Sequence, residues 1–277
     1  MCAKYFKRMI KYILYEHKQD KIYTEICQKK SSDIFKEKVV MITGGGHGIG
    51  YYIAKRLLQD GATVIITGRN EKILKQAKNE LGERCEYIVM DVKNINNNDV
   101  VIKGVYEKYG KLDCLINNAG ISLHEESILE VTEDTFDSQF NTNLKAPYFI
   151  SKSFINEYIK RKQKSGNIIF ISSQRGSQCD ELPYGLTKAS INSLTKCLGK
   201  KYYRNGLRVN AISPGVTASD LTKIDKNDDL ANNRSNGRYF IQEEIAEVVA
   251  FIASDFSKCI SGDIINCDGG EYNNSYF

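Results

Sequence analysis

From residue 38 onward, short β-branched runs alternate with amphipathic helical stretches, and nothing else in the chain restricts its fold as strongly. KVVMITGGG reads as a strand ending in glycines, and IGYYIAKRLLQDG after it as a helix closed by Gly61. ATVIITG and NEKILKQAKNEL repeat the pair. EYIVMDV, residues 98–109 and LDCLINNAG continue it; NIIFISS, the helix after Pro183, LRVNAISPG, EEIAEVVAFIAS and DIINCDGG complete it. Strands that are apolar almost throughout are buried on both faces, which means a parallel sheet covered by helices on each side.

The fold class that follows is α/β: a three-layer, doubly wound parallel sheet of Rossmann type, in a single domain spanning 38–277. Residues 1–37 form a basic N-terminal arm. Ten of the 39 Lys/Arg but only five of the 34 Asp/Glu lie in residues 1–38, so that end carries the whole net charge of +5. A neutral body argues against a nucleic-acid protein. The arm reads as a solvated helix packing on its own or a neighbouring subunit, with a membrane surface or acidic partner as the alternative. No apolar run is long enough to span a membrane, and the N-terminus lacks the apolar core and cleavage site of a secretory signal. Eight scattered cysteines without a CxxC pair point to a reducing compartment, cytoplasmic here, with buried, inert sulfurs. Neither they nor the three histidines have metal-ligand spacing, so no metal site is expected.

TGGGHGIG, Thr43 to Gly50, occupies the first strand-to-helix turn, with Gly44, Gly48 and Gly50 at the positions that matter. Backbone without Cβ approaches a pyrophosphate closely, and the following helix N-terminus offers free N–H groups. In this location the turn predicts dinucleotide binding. The second strand ends in Gly68-Arg69 rather than in an acid that would hold ribose hydroxyls. A guanidinium suits a 2′-phosphate, so NADP(H) is preferred, with NAD(H) possible and a merely solvated arginine the alternative.

Thr43-Gly-x-x-x-Gly-x-Gly, Asn117-Asn118-Ala119-Gly120, Ser173 ahead of Tyr184-x-x-x-Lys188, and Pro214-Gly215 resemble the short-chain dehydrogenase/reductase family, in its compact single-domain branch, from about residue 37 to Gly270. The resemblance implies an oxidoreductase interconverting a secondary alcohol and a ketone with NAD(P)(H). Tyr184 would be the general acid or base, with Lys188, on the same helix face, lowering its pKa and holding the nicotinamide ribose. Ser173 would polarise the substrate oxygen; only the family pattern selects it over Ser172. The eleven-residue interval from Ser173 to Tyr184 is shorter than is common in the family. Asn143 matches the family's helix asparagine, which supports a relay water, and Pro147 four residues on would kink the helix and free a carbonyl. By position, cofactor contacts fall to Thr43, Gly44, His47, Gly48, Ile49, Gly50, Arg69, Asp91, Val92, Asn117, Ala119, Gly120, Tyr184, Lys188, Pro214, Gly215, Val216 and Ser219. Asn118 and the glycines read equally well as turn residues.

Two polar stretches, 122–134 and 216–240, follow strand C-termini, and the second is long enough to be a lid. Expected pocket walls include His124, Glu125, Glu126, Gln174, Arg175, Gln178 and Asp180, which suit a small polar or sugar-like carbonyl or alcohol. A 3-oxoacyl-[acyl-carrier-protein] reductase is the alternative, supported by the C-terminal ISGDIINCDGG but not by the uncharged body. A non-catalytic NADP-binding regulator is the second alternative; it predicts a degraded tetrad, whereas all four residues are present. The resemblance further implies a homo-oligomer, tetramer or dimer, with helices 133–161 and 184–203 at its core, and the final SYF reads as apolar enough to tuck against a neighbour.

Overall fold

The computed structural model of the chain describes residues 33–219, 221–227, 229–231 and 237–271. The arm's residues 1–32 and the terminal SYF lie outside them. Seven strands, β1 (Val39–Thr43), β2 (Thr63–Gly68), β3 (Cys85–Val89), β4 (Cys114–Asn117), β5 (Gly166–Ile171), β6 (Leu207–Pro214) and β7 (Ile264–Cys267), form one sheet in the order β3-β2-β1-β4-β5-β6-β7. Every neighbouring pair is parallel. The main helices are α1 (Gly48–Gln59), α2 (Glu71–Leu81), α3 (Asn98–Tyr109), α4 (Glu133–Phe140), α5 (Ala146–Lys160), α6 (Pro183–Tyr202) and α7 (Gln242–Ala253).

The period of two along each strand divides the core into two layers. Val40, Ile42, Val64, Ile66, Ile116 and Ile169 face α1, α2 and α7, meeting Ile53, Leu57, Leu74, Ile245 and Val249. Val39, Met41, Ile65, Leu115, Ile168 and Phe170 face the other way, onto Ile102, Tyr106, Ile150, Phe154, Tyr158 and Ile191 of α3, α5 and α6. Phe35, ahead of the boundary read at residue 38, is buried in the first layer, and its amide bonds the Asp60 carbonyl.

Strand order reverses between β1 and β4, since the chain builds β2 and β3 on one side before crossing to the other. Loops leaving the C-terminal ends of β1 and β4 therefore diverge and open a crevice, the usual ligand position in such sheets. Local chemistry sets the helices around it. Pro183 stands in the first turn of α6, where its missing N–H costs nothing. The side chain of Asn70 caps α2 by accepting from Ile73 N.

Two elements differ from the sequence expectation. The stretch 133–161 is not one helix kinked at Pro147: α4 and α5 are joined by a π-helical turn, Asn141–Lys145, in which Ala146 N–H donates to Asn141 O. The ring nitrogen of Pro147 cannot donate, so the backbone widens instead of bending. Among the described residues, the cysteines are free, but Cys179, Cys197 and Cys259 are exposed rather than buried. Only Cys85 and Cys114 match that expectation, with burial pushing their thiols up to about 11 and about 12.

Candidate active site

A cleft of about 700 Å³ opens over the C-terminal ends of the strands. Its inner end is the glycine turn. Gly44 and Gly48 have φ of +66° and +57°, where other residues are strained. A Cβ at Gly50 would collide with Gly44 O and the Asn118 amide. Thr43 lies beneath the cleft floor: its Oγ1 accepts from Asn118 N and Ala119 N, both at 3.1 Å. Asn118 Nδ2 donates back to Thr43 O and Gly44 O, each at 3.0 Å. This lacing holds the β4 loop against the turn. His47, the N-cap of α1, makes no side-chain capping bond, so the first N–H groups of that helix are left for another acceptor.

At the other end stand Ser173, Tyr184 and Lys188. Ser173 and Tyr184 line the cleft together, close enough for the serine hydroxyl to hold down the phenol's pKa. Ser172 turns away: its Oγ donates to Asn192 Oδ1 at 2.6 Å, inside the packing of β5 on α6. Lys188 is 5% exposed; its Nζ donates to Ile171 O at 2.8 Å and sits 5.5 Å from the Tyr184 ring centre. Burial lowers its pKa to about 8. Tyr184 goes up, not down as the sequence suggested. Burial is the main cause, opposed by the Ser173 hydroxyl and the Arg175 charge and assisted by Asp180. Asn143 is buried on the π-turn and exchanges two 2.8 Å bonds with the Ile121 backbone. That ties the β4 loop beside Lys188, with Gly120 closely packed between them: a Cβ there would lie a tight 3.3 Å from Asn143 Oδ1 and 3.7 Å from Lys188 Nζ.

The model of the short chain dehydrogenase family matches residues 38–230. The chain is a short-chain dehydrogenase. Among similar proteins, the 3-oxoacyl-[acyl-carrier-protein] reductase FabG of Chlamydia trachomatis is 34% identical over 250 residues, 86% of this chain and 99% of that one. Dehydrogenase/reductase SDR family member 4 of Caenorhabditis elegans is 31% identical over 85% of this chain and 95% of that one. Of solved structures, the 3-ketoacyl-(acyl-carrier-protein) reductase of Brucella melitensis, complexed with NADH, superposes with a TM-score of 0.80 at 26% identity, covering 86% of this chain and 99% of that one. The dehydrogenase is accordingly an oxidoreductase of CH–OH and keto groups that uses a nicotinamide cofactor.

A nicotinamide dinucleotide fits what the cleft offers: a glycine turn whose backbone is bare at Gly44 and Gly48, a helix N-terminus without a side-chain cap, and Arg69 exposed on the rim with no ion-pair partner among the described residues. Asp91, Val92, Ala119, Gly120, Pro214, Gly215, Val216 and Ser219 line the same cleft. Asn117 does not. Strand alternation turns its side chain to the opposite face, where Nδ2 donates to Ser151 Oγ at 3.1 Å. Thr43 and Gly50 shape the cradle without lining it.

Of the expected walls, His124, Gln174, Arg175 and Gln178 line the dehydrogenase's cleft; Glu125, Glu126 and Asp180 do not. Glu125 is held by Gln139 and Asp180 by Arg175, at 2.8 and 2.6 Å. Sequence reasoning passed over Ser138 and Thr142, which reach the cleft from α4 and the π-turn. Polar residues inside a helical run were their only signal. In the 216–240 stretch, Thr217 and Phe240 pair, and Leu221 and Thr222 reach the cleft. Among the described residues, no helix is long and apolar enough to cross a membrane, and no group of three ligands could hold a metal.

Proposed function

We propose that this dehydrogenase is an NADP(H)-linked ketone reductase in which Tyr184 delivers the proton to the substrate oxygen. The observation that carries this reading is one cleft that brings together Ser173, Tyr184 and Lys188, the lysine buried with its Nζ 5.5 Å from the tyrosine ring. The nicotinamide supplies or accepts the hydride when bound. Ser173 donates to the carbonyl oxygen and stabilises the charge that develops on it. Tyr184 gives up its proton as the alkoxide forms, and in the oxidative direction takes it back. Lys188 places a positive charge beside the forming phenolate, and Asn143 holds the Gly120–Ile121 backbone that borders it. The glycine turn and the N-terminus of α1, with Gly44, His47, Gly48 and Ile49, hold the pyrophosphate. Asp91 and Val92 bracket the adenine, and Arg69 receives the 2′-phosphate.

For the substrate, full-length similarity to several 3-oxoacyl-[acyl-carrier-protein] reductases supports a 3-oxoacyl thioester. The cleft itself favours a small hydroxylated ketone. Beside Ser173, Gln174 is buried with its Oε1 unpaired among the described residues, an acceptor suited to a substrate hydroxyl. NADPH oxidation followed with a 3-oxoacyl thioester and with hydroxyketones separates the two. A homo-oligomer accords with Phe136, Tyr148 and Leu186, exposed on α4, α5 and α6; light scattering would test it.

The deciding experiment is fluorescence titration with NADPH and with NADH, on the native protein and on Arg69→Ala. Tighter NADPH binding that the substitution removes is the expected result. Equal or tighter NADH binding would leave Arg69 a solvated loop residue and make the enzyme NAD-linked.

A further inference from the structure

The short connection between Ser173 and Tyr184 contains an ion pair that the tetrad does not use. Arg175 Nη2 lies 2.6 Å from Asp180 Oδ1, and its Nε lies 2.5 Å from Oδ2, a two-pronged clamp on a carboxylate whose side chain is 7% exposed. Asp180 also accepts from Leu182 N at 3.0 Å, just ahead of the α6 N-terminus. Its carboxylate packs on Gly185, the residue after Tyr184, where any Cβ would overlap it. Gly176, in the same connection, packs equally closely on the Lys188 backbone. The Arg175 guanidinium is thereby fixed 6.0 Å from the Tyr184 ring centre, on the cleft wall. An ion pair that reaches both carboxylate oxygens, with its Asp180 end buried against Gly185, holds the guanidinium in place, and this one stands beside the proton donor.

We propose that Arg175 and Asp180 act as a positioning pair for Tyr184: the pair seats the phenol against Ser173, and its two opposite charges, held at fixed distances, balance the field at the phenolic oxygen. This inference rests on Tyr184 being the general acid. The charged groups around the phenol are Arg175 and Asp180 from the connection and Lys188 from α6; the His124 imidazole lines the same cleft from the loop after β4. The pair's two charges act in opposite directions on the tyrosine, Arg175 favouring the phenolate and Asp180 the phenol.

The test is the upper step of the alkaline limb of kcat/KM for ketone reduction, above the Lys188 step near 8, where activity falls as Tyr184 loses its proton. Arg175→Gln removes the positive charge and moves the limb to higher pH; Asp180→Asn leaves that charge unbalanced and moves it to lower pH. Each displacement is about 0.5–1 pH unit for one charge at roughly this distance in a solvated cleft. Arg175→Lys keeps the charge without the fork, so its limb stays near the native one while kcat falls. Loosening of the loop alone would displace both limbs the same way or neither, and that result would overturn the proposal, as would a Lys variant that behaves like Gln. Tyr184→Phe is run alongside. If it retains activity, the assignment of the acid fails; if it is inactive and the limbs do not diverge, only the pair's role fails. Melting curves of each variant confirm that it is folded.

Discussion

Lys188, to which we assign a catalytic role, works against stability. Burial holds its pKa near 8, below the 10.5 of the free side chain. Between those values the unfolded chain keeps a proton that the folded chain has released. The residue's contribution to stability therefore rises with pH across that window and is least favourable below 8. Lys188→Met is expected to melt higher than the native protein at pH 7, the difference being at most about 3 kcal/mol and shrinking toward pH 10.5. Activity should be lost at every pH. Calorimetry at pH 7 and 10 tests this, and a variant less stable at pH 7 would mean that the bond to Ile171 O outweighs desolvation. Tyr184→Phe should lower kcat by about 10²–10⁴ with NADPH affinity little changed, read by stopped-flow reduction and fluorescence titration. Gln174→Leu fills a buried place with no unpaired acceptor. It should leave the melting temperature equal or higher, yet reduce turnover of hydroxyketones relative to plain ketones.

At the scale of elements, the glycine turn and the π-turn each set backbone where an ordinary element would not serve. Gly48 has open space around its missing Cβ, whereas Gly50 has the Gly44 carbonyl and Asn118 against it. Gly48→Ala should cost only the strain of its positive φ, about 1–2 kcal/mol. Gly50→Ala must push the β4 loop off the turn, costing about 1–3 kcal/mol and most of the NADPH affinity. Denaturant melts and titration of the two variants should rank them in that order. In the π-turn, Pro147→Ala restores an N–H where the proline has none. The helix is then free to return to α register and carry Asn143 away from Ile121. The expected outcome is a several-fold lower kcat with unchanged or higher stability, and equal kcat would show that the π-turn is held by packing alone.

Across the whole molecule, the 216–240 stretch is strapped down where it is described. Lys226 Nζ donates to Tyr52 OH of α1 at 2.8 Å and to Glu243 of α7 at 2.6 Å, and Phe240 N donates to Val216 O. Lys226→Met should speed proteolysis within this stretch and raise KM while shifting the melting temperature by no more than about 2 °C; unchanged proteolysis would mean that the bridge at its ends suffices. The parallel sheet, its two helical layers and the site's place above the strand ends were all legible in the sequence. Apolar runs, helical periodicity and glycine turns are local properties, and they leave one way to bury the strands. That Tyr184 and Lys188 lie one turn apart on one helix was legible for the same reason. Four details depend on how the chain packs rather than on any local pattern. Asn117 turns to Ser151, Ser172 is taken by Asn192 while Ser173 meets Tyr184, Arg175 is clamped by Asp180 beside the phenol, and burial rather than Lys188 decides the direction of the Tyr184 shift. The sequence by itself determined the parallel sheet, its covering helices and the inventory of reactive groups. Only the tertiary structure decided which of those groups face one another, because direction and desolvation belong to the packed chain and not to any stretch of it.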